Sequence, residues 1–528
     1  AELNGGAGND VIRLTNFDAA VDLIVGGAGS DTLIIDRAGA TDITFNMQTA
    51  VNQVGGILQN GYGGGNVLGN FNGIENVTVT GTNRLYVYAN NGDNVITGGA
   101  GLSDTVDYRN ATAGVNINLA TGIATGGGGN DTLINIEYIY GASQWNDVLI
   151  GNDANNWIRG MYGSDYIDGG NGIDTWYLDW SGQSATASLL TTAQNAAMGI
   201  VMTAEGAGNT ILNMENIYAS AGDLVYGNAV ANDLYGRGLL EGFVGADNLR
   251  ASATSATASY ANAGNAYLAA QGITTAAGLG VTATLSTSFG AGPAVFNSGD
   301  AAGDTYVSIN NLQGSAFNDV LIGNGSVNII DGGAGDDILE GLGGGDTFRG
   351  GAGIDTVSYA HSTAGVIASL ADPSTNTNDA AGDNYSSIEN LTGSNFNDTL
   401  VGDGNDNILD GGLGTNTLDG GGGFDIASYL TATGAVNITL TGAGTGTVTG
   451  AGRTDTLLNI ERVVGSNFAD TITGTAGDDW IDGGEGADTI NAAGGNDTIS
   501  YASATGGRTV VLNTSSSDGK VLSNFENI

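Results

Sequence analysis

The chain has 528 residues, of which 93 are glycine but only 2 are proline, so a collagen triple helix is excluded. Apolar residues make up 41% of the chain, which is too large a fraction for simple disorder. The formal net charge of −43 opposes binding to nucleic acid and to anionic membrane surfaces.

The residue types that build many catalytic and metal sites are scarce. The sequence has no cysteine and one histidine, His361, which excludes disulfides, thiolate metal sites and His-rich zinc sites. We see no N-terminal signal peptide, and the long uncharged stretch 251–299 lacks an apolar run of about 20 residues. We therefore expect no membrane span. Both ends read as though cut from a longer protein.

The first segment, 1–140, contains scattered copies of a nine-residue pattern. They include "GGAGNDVIR" from residue 5, "GGAGSDTLI" from 26 and "GGGGNDTLI" from 126, while "GGAGLSDTV" from 98 has one inserted residue. We predict degenerate β-roll modules here. The aspartates of these copies are Asp10, Asp31, Asp104 and Asp131.

The pattern becomes continuous in the next segment, 141–218, which we predict to be one β-roll module. A run of the pattern covers 141–176, and its position-six residues are Asp147, Asn156, Asp165 and Asp174. Segment 219–313 opens with a copy that is one residue short and contains the uncharged stretch. We predict a degenerate module there, with a looser insert or a specialised surface.

Three further modules are predicted over 314–392, 393–464 and 465–528, the last one truncated at its C-terminus. Five nonads from 314 to 358 have Asp319, Asn328, Asp337, Asp346 and Asp355 at position six. The next run has Asp398, Asn407, Asn416 and Asp425 there. The last run has Asp470, Asp479, Asp488 and Asp497.

Each nonad divides into a turn and a short strand. The first six residues are glycine-rich, and glycine readily adopts positive φ. The last three have an apolar residue in the middle, which predicts a strand with one inward side chain. Two nonads make a coil of 18 residues, and coils stacked about 4.8 Å apart pair their strands in parallel. We predict an all-β fold, a right-handed parallel β-roll or β-helix solenoid of several tandem modules.

Short recurrent sequence motifs mark the module boundaries. Each roll is followed by Tyr359, Tyr429 or Tyr501, then by an alternating strand beginning near 114, 280, 365 or 435. A glutamate follows, and we expect these glutamates to form structural hydrogen bonds: Glu137, Glu215, Glu389, Glu461 and Glu526. An aromatic residue at position four of each first nonad is expected to plug the apolar end of the roll: Trp145, Phe317, Phe396 and Phe468.

Stacking places the position-six carboxylates in columns. Two carboxylates about 5 Å apart repel by roughly 3 kcal/mol at an effective dielectric near 20, so the columns need a cation. Calcium accepts six to eight carboxylate and carbonyl oxygens in flexible geometry, whereas magnesium demands a tighter octahedron. The alternative is a metal-free β-helix with solvated Asx turns. The predicted calcium ligands are Asp10, Asp31, Asp104, Asp131, Asp147, Asp165, Asp174, Asp319, Asp337, Asp346, Asp355, Asp398, Asp425, Asp470, Asp479, Asp488 and Asp497.

The nonads resemble GGxGxDxUx, the signature of RTX (repeat-in-toxin) proteins, also called the hemolysin-type calcium-binding repeat. The resemblance implies a parallel β-roll with calcium between successive turns. It also implies export by type I secretion machinery from a Gram-negative-type bacterium, with folding outside the cell. Asparagine at position six departs from the motif, so we expect weaker binding at Asn156, Asn328, Asn407 and Asn416.

No feature of the sequence favours catalysis, and we predict no catalytic residues. The sequence contains neither HExxH nor GxSxG, and the lone His361 is expected to lie on the surface. Paired acids for glycoside chemistry are better explained by the repeat. Tryptophans 145, 157, 176, 180 and 480 could form a carbohydrate-stacking surface, but Trp145 and Trp176 fit packing positions better.

These observations favour a calcium-binding extracellular structural protein of the surface-layer, matrix, filament or adhesin kind. Its expected partners are calcium ions, itself in a lattice or filament, or a cell-surface polysaccharide. The alternative is the calcium-binding C-terminal repeat region of a secreted protease, lipase or polysaccharide-modifying enzyme. A catalytic domain upstream of Ala1 would favour that alternative.

Overall fold

The structure is a computed structural model of the chain. It describes residues 2–15, 22–36, 43–47, 56–60, 66–82, 84–101, 103–178, 186–198, 200–219, 224–251, 256–272, 274, 278–286, 297–506, 519–525 and 527. They form two compact units, Ala1–Ala256 and Thr257–Ile528. The boundary falls inside the predicted segment 219–313, and the finer division into modules stays a prediction.

Short strands account for most of the first unit. They are β1 (Glu2–Ala7), β2 (Val11–Leu14), β3 (Asp22–Ala28), β4 (Thr32–Asp36), β5 (Ile43–Asn46), β6 (Gly56–Asn60), β7 (Asn66–Asn72), β8 (Asn76–Thr80), β9 (Leu85–Tyr88), β10 (Val95–Thr97), β11 (Thr105–Asp107), β12 (Val115–Asn118), β13 (Ile123–Gly126), β14 (Asp131–Ile134), β15 (Tyr138–Tyr140), β16 (Val148–Asn152), β17 (Trp157–Arg159), β18 (Tyr166–Gly170), β19 (Thr175–Leu178), β20 (Thr186–Ser188), β21 (Thr210–Leu212), β22 (Asn216–Ala219), β23 (Leu224–Tyr226), β24 (Asp233–Gly236), β25 (Leu239–Glu241) and β26 (Asn248–Ala251).

The second unit has the same character. Its strands are β27 (Thr257–Ser259), β28 (Thr282–Thr284), β29 (Thr305–Val307), β30 (Asn311–Gln313), β31 (Val320–Ile322), β32 (Ile329–Ala334), β33 (Ile338–Glu340), β34 (Thr347–Ala352), β35 (Thr356–Ser358), β36 (Ile367–Ser369), β37 (Asn384–Ser386), β38 (Asn390–Thr392), β39 (Thr399–Val401), β40 (Ile408–Asp410), β41 (Gly414–Asp419), β42 (Ile426–Ser428), β43 (Val436–Gly442), β44 (Thr445–Gly450), β45 (Arg453–Leu458), β46 (Arg462–Val464), β47 (Thr471–Thr473), β48 (Trp480–Asp482), β49 (Thr489–Asn491), β50 (Thr498–Ser500) and β51 (Val521–Ser523).

Helices are few and short. The α-helices are α1 (Thr192–Met198) and α2 (Ala266–Ala270), and 3-10 turns lie at Ala204–Gly206, Gly299–Ala301, Pro373–Thr375 and Asn378–Ala380. Within the described residues, no helix has the length and apolar character needed to cross a membrane.

Most strands that are neighbours in the chain lie in different sheets, as a flattened coil requires. In the first unit, one sheet runs in the order β1-β3-β7-β6-β5-β9-β11-β15-β17-β19-β22-β24-β26 and a second in the order β2-β4-β8-β10-β14-β13-β12-β16-β18-β21. In the second unit, one sheet runs β28-β31-β33-β35-β38-β40-β42-β46-β48-β50 and another β36-β39-β41-β45-β44-β43-β47-β49-β51.

The predicted 18-residue coil is confirmed by the strand register. Val320 pairs with Ile338 and Ile338 with Thr356, all in parallel. The middle residue of each three-residue strand points inward, and Leu321, Leu339 and Val357 are fully buried. Each such side chain contributes about 1.5–3 kcal/mol by leaving water, so the stack and not the single strand is the stable unit. The fold is the predicted parallel β-roll.

Antiparallel hairpins interrupt the parallel pattern between rolls. Strands β12, β13 and β14 pair antiparallel in sequence, as do β43, β44 and β45. Short turns join antiparallel neighbours, because parallel strands need a longer crossover connection. The predicted alternating strands are confirmed as β12, β28, β36 and β43.

The predicted aromatic plugs are wrong at three of the four positions. Trp145, Phe396 and Phe468 are 47%, 40% and 45% exposed. Position four lies on the outside of the turn, where the Phe396 N–H donates to the Ser394 hydroxyl at 3.0 Å. The first coil is instead covered by the alternating strand, since β36 pairs directly with β39.

Candidate metal centre

Position-six side chains form hydrogen-bonded columns. The Asp319 N–H donates to Oδ1 of Asp337 at 2.8 Å, and the Asp337 N–H donates to Oδ1 of Asp355 at 2.9 Å. In the facing column, the Asn328 N–H donates to Oδ1 of Asp346 at 2.8 Å. The predicted columns are therefore present. In each of these carboxylates, one oxygen accepts a hydrogen bond from the preceding coil.

The turns fall into two classes, which differ in whether the residue at position two donates a hydrogen bond to the second carboxylate oxygen. We call a turn closed when the position-two N–H donates to the position-six side chain. The Ser315 N–H and hydroxyl donate to Oδ2 of Asp319 at 2.6 and 3.0 Å. Closed turns with both carboxylate oxygens occupied hold five of the predicted ligands: Asp147, Asp319, Asp398, Asp470 and Asp479.

We call a turn open when its position-two residue has positive φ, which turns the N–H away from the carboxylate. Gly333 has a φ of 104°, and Oδ2 of Asp337 is buried without a hydrogen-bond partner. A buried carboxylate oxygen with no donor costs several kcal/mol in an apolar medium, by order of magnitude. Eight predicted ligands share this combination: Asp10, Asp31, Asp165, Asp174, Asp337, Asp346, Asp355 and Asp425.

Some open turns hold non-glycine residues in the left-handed region. Position two is Met161 in the turn of Asp165 and Leu342 in the turn of Asp346, with φ of 69° and 68°. This conformation costs roughly 1–2 kcal/mol for a residue with a Cβ. The turn of Asp497 is also open by this criterion, because Ala493 has a φ of 76°. Strain of this kind clusters at ligand sites, which makes these turns candidate binding sites.

Burial also disfavours the charge on these carboxylates. Burial, together with the neighbouring charges of Asp319 and Asp355, raises the pKa of Asp337 to about 7. Burial likewise raises the pKa of Asp165, Asp174 and Asp346 to about 7. A bound cation would remove this penalty, because opposite charge favours the ionised form.

A cation here must use main-chain oxygens. Among the described residues, no three acidic or histidine side chains converge on one point. In the turn of Asp488, a positively charged group contacts the turn oxygens directly. The Lys520 ammonium donates to the carbonyls of Gly484 at 2.8 Å and Gly486 at 3.2 Å, and contacts Oδ2 of Asp488. Carbonyls and a carboxylate are the oxygens that calcium prefers, so the open turns fit it.

Asparagine at position six supplies its own donor. The Asn328 side-chain amide donates to the Asn310 carbonyl at 2.6 Å, and that of Asn407 donates to the Glu389 carbonyl at 2.7 Å. Asn416 lies in an open turn, since Gly412 has a φ of 69°, and its amide donates to Asp455 at 2.8 Å. The turns of Asn328 and Asn407 are closed, because the N–H groups of Asn324 and Asp403 donate to their side-chain oxygens. Only in the open turn of Asn416 does an amide stand where a cation would bind.

Glutamates follow the last aspartate of a run in one set of columns. Oε2 of Glu389 accepts the Asp355 N–H at 2.8 Å, and Oε2 of Glu461 accepts the Asp425 N–H at 2.8 Å. Glu137 and Glu215 bind Asp104 and Asp174 in the same way, so the predicted structural hydrogen bonds are confirmed at all four. Glu526 lies outside the described residues. Sequence reasoning missed Glu75, which binds the Asp31 N–H, although "GIEN" carries the same signal.

Tyrosines end the other set, and sequence reasoning missed this role. The Tyr359 hydroxyl donates to Oδ2 of Asp383 at 2.8 Å, and Tyr260 donates to Asp304 at the same distance. Tyr108 donates to Oδ2 of Asp131, one of the predicted ligands, at 2.5 Å. The recurrence of the tyrosine after each roll was visible, but two of the acceptors, Asp383 and Asp304, come from segments without the nonad pattern.

Three remaining expectations have mixed outcomes. The surface position expected for His361 is wrong: its ring is buried and Nδ1 lies 2.6 Å from Oε2 of Glu340. Trp176 is fully buried, as its packing position predicts, whereas Trp180 lies outside the described residues. Asp104 belongs to neither turn class, and its Oδ1 accepts the Leu85 N–H at 2.6 Å.

A family model described as the RTX calcium-binding nonapeptide repeat matches residues 2–15, 18–34, 86–102, 146–175, 308–339, 322–357, 392–427 and 464–499. The chain contains several copies of the RTX calcium-binding nonapeptide repeat. All eight open-turn carboxylates without a donor lie within the matched segments. RTX repeats bind calcium and are typical of secreted proteins. None of the curated proteins compared with the chain matches it.

Proposed function

We propose that this protein is a structural component of the extracellular space, of the surface-layer, matrix, filament or adhesin kind. In this proposal, a type I secretion system of a Gram-negative-type bacterium exports the chain unfolded, and calcium outside the cell stabilises its rolls. The observation that carries the proposal is the set of buried Oδ2 atoms in open turns, exemplified by Asp337, which have no donor in the protein.

Calcium would bind in the open turns and not in the closed ones. Asp337, Asp346 and Asp355 would each supply one carboxylate oxygen, and the glycine-rich turn would supply carbonyls. When bound, the ion supplies the positive charge that a buried carboxylate requires. In closed turns, donors such as Ser315 and Thr475 already occupy the carboxylate, so these turns serve as metal-free ends of the rolls.

A non-catalytic role is supported by what the acidic side chains do. The recurrent boundary glutamates, the best candidates for paired catalytic acids, each accept a main-chain N–H in the column. His361 is buried against Glu340, where its ring cannot reach a substrate. These side chains are accounted for by the stability of the roll.

The test is calcium binding by isothermal titration together with circular dichroism, with and without calcium. Asp337→Asn should lose one bound calcium, because an amide oxygen cannot neutralise the ion and Asn416 shows that asparagine fits an open turn. Asp331→Asn removes the same charge from a partly exposed position and should keep the full count. A thermal unfolding midpoint, followed by the β-signal, that calcium removal leaves unchanged would overturn the proposal.

The structural role needs a second readout. Sedimentation and electron microscopy after calcium addition should reveal ordered assemblies of the chain. A persistent monomer accompanied by hydrolase activity in the full-length secreted protein would instead support the enzyme-associated alternative. Both outcomes are compatible with calcium binding, so this test separates the role of the protein from the chemistry of its turns.

A further inference from the structure

Lys520 is the only lysine in the sequence, and it stands in the place of an aspartate. Strand β51 pairs in parallel with β49, with Val521 opposite Thr489. Lys520 therefore occupies the position-six place next to Asp488, in the column where Asp470 and Asp488 precede it. At the other column ends described above, an acidic residue occupies the corresponding place. Among those ends, Lys520 is the one basic residue.

The ammonium lies inside the turn of Asp488, where it is fully buried. It donates to the carbonyls of Gly484 and Gly486 and contacts Oδ2 of Asp488. A simple surface ion pair would engage the carboxylate alone, whereas two converging carbonyls form a cation site. A buried ammonium is tolerated only when such partners satisfy it.

This turn has the backbone of an open turn. Gly484 and Gly486 have φ of 72° and 108°, and the corresponding Gly333 and Gly335 in the turn of Asp337 have φ of 104° and 118°. The two turns differ in what faces the carboxylate: Oδ2 of Asp337 has no donor, whereas Oδ2 of Asp488 faces the ammonium.

We propose that Lys520 is a tethered cation that replaces calcium in the turn of Asp488. This inference rests on the proposed binding of calcium to open turns. Because the ammonium belongs to the chain, its local concentration does not depend on the calcium level of the medium. The turn of Asp488 is therefore neutralised in the folded roll at any calcium concentration, and it takes no ion.

The experiment counts calcium ions per full chain by native mass spectrometry. Lys520→Met and Lys520→Asp remove the ammonium, and each variant should bind one more calcium than the unmodified chain. Arg349→Met is the control, because it removes an exposed cation that lies 3.9 Å from Asp331 and in no turn. It should leave the count unchanged.

A second measurement on the unmodified chain guards against variants that do not fold. At saturating calcium, an amine-acylating reagent should modify the α-amino group but not Lys520. Rapid acylation of Lys520 in the folded, calcium-loaded protein would mean that calcium displaces it, and would overturn the inference. An unchanged calcium count in folded Lys520→Met would also overturn it. If the unmodified chain binds no calcium at all, the proposed function fails instead.

Discussion

At the scale of single residues, the conformation of position two decides what a turn can bind. Ser315 turns its N–H toward Asp319 and closes the turn, whereas Gly333 turns its N–H away and leaves Asp337 open. One backbone dihedral thus decides whether a buried carboxylate is satisfied by the protein or needs a cation. The aspartate itself is the same in both classes.

The first residue-scale prediction concerns Gly351, which has a φ of 113° at position two of an open turn. A Cβ there would overlap the Gly333 carbonyl of the neighbouring coil. Gly351→Ala should therefore destabilise the roll by at least about 1–2 kcal/mol from the backbone conformation alone. Urea denaturation at saturating calcium measures the change.

Gly325→Ala is the matched control for this prediction. A methyl group added at Gly325 would have no heavy atom within 4 Å beyond its chain neighbours, and this glycine does not have positive φ. Its substitution should change the free energy of unfolding little, or raise it slightly by reducing the entropy of the unfolded chain. Equal losses in the two variants would mean that position two has no special role.

At the scale of elements, each column of coils has a specific end. Glu389 accepts the N–H of Asp355, the last aspartate of its run, and so satisfies a buried donor. The Tyr359 hydroxyl similarly satisfies the carboxylate of Asp383 by donating a hydrogen bond to it. The sheet continues past Glu389, since β35 pairs with β38 and β38 pairs with β40.

Glu389 provides a prediction that separates hydrogen bonding from acid chemistry. Glu389→Gln keeps an oxygen that can accept the Asp355 N–H, and should retain most of the stability. Glu389→Ala leaves that donor unsatisfied, and should cost about 1–3 kcal/mol. Thermal unfolding of the two variants at saturating calcium measures the difference. Equal loss in both would contradict a hydrogen-bonding role.

The repeat made the elements predictable, whereas the classes of turn depend on contacts that no local pattern records. The 18-residue register and the inward residues Leu321 and Leu339 follow from spacing alone. The open and closed turns depend on φ at position two, which "GL" at Gly341–Leu342 does not reveal. The bond from Lys520 to Asp488 spans 32 residues of sequence, and the segment that makes it lacks the nonad pattern.

At the scale of the whole molecule, the chain has a net charge of −43, so its folding stability depends on how many protons and calcium ions its carboxylates bind. Asp337 and Asp346 have folded-state pKa values of about 7, above the ordinary value near 3.9. The metal-free folded chain therefore binds more protons than the unfolded chain between these pH values. Its stability is greatest below about pH 4 and falls as the pH rises through about 7.

Calcium reverses this dependence, because it binds the ionised carboxylate and competes with the proton. We predict that the metal-free protein melts at a higher temperature near pH 5 than near pH 8, and that the melting difference between calcium-loaded and metal-free protein shrinks on acidification. Calcium should be removed by gel filtration, since chelators are themselves protonated. A metal-free melting temperature that rises with pH would contradict the prediction.

Surface repulsion would produce a similar trend, because acidification also lowers the charge on exposed carboxylates. The two causes separate in salt, since exposed charges are screened over a Debye length of only about 3 Å at 1 M ionic strength, whereas buried charges are screened much less. The pH dependence of the metal-free protein should therefore persist in high salt. If it disappears there, the repulsion lies on the surface, and the buried columns of Asp337 and Asp346 do not control the stability of the roll.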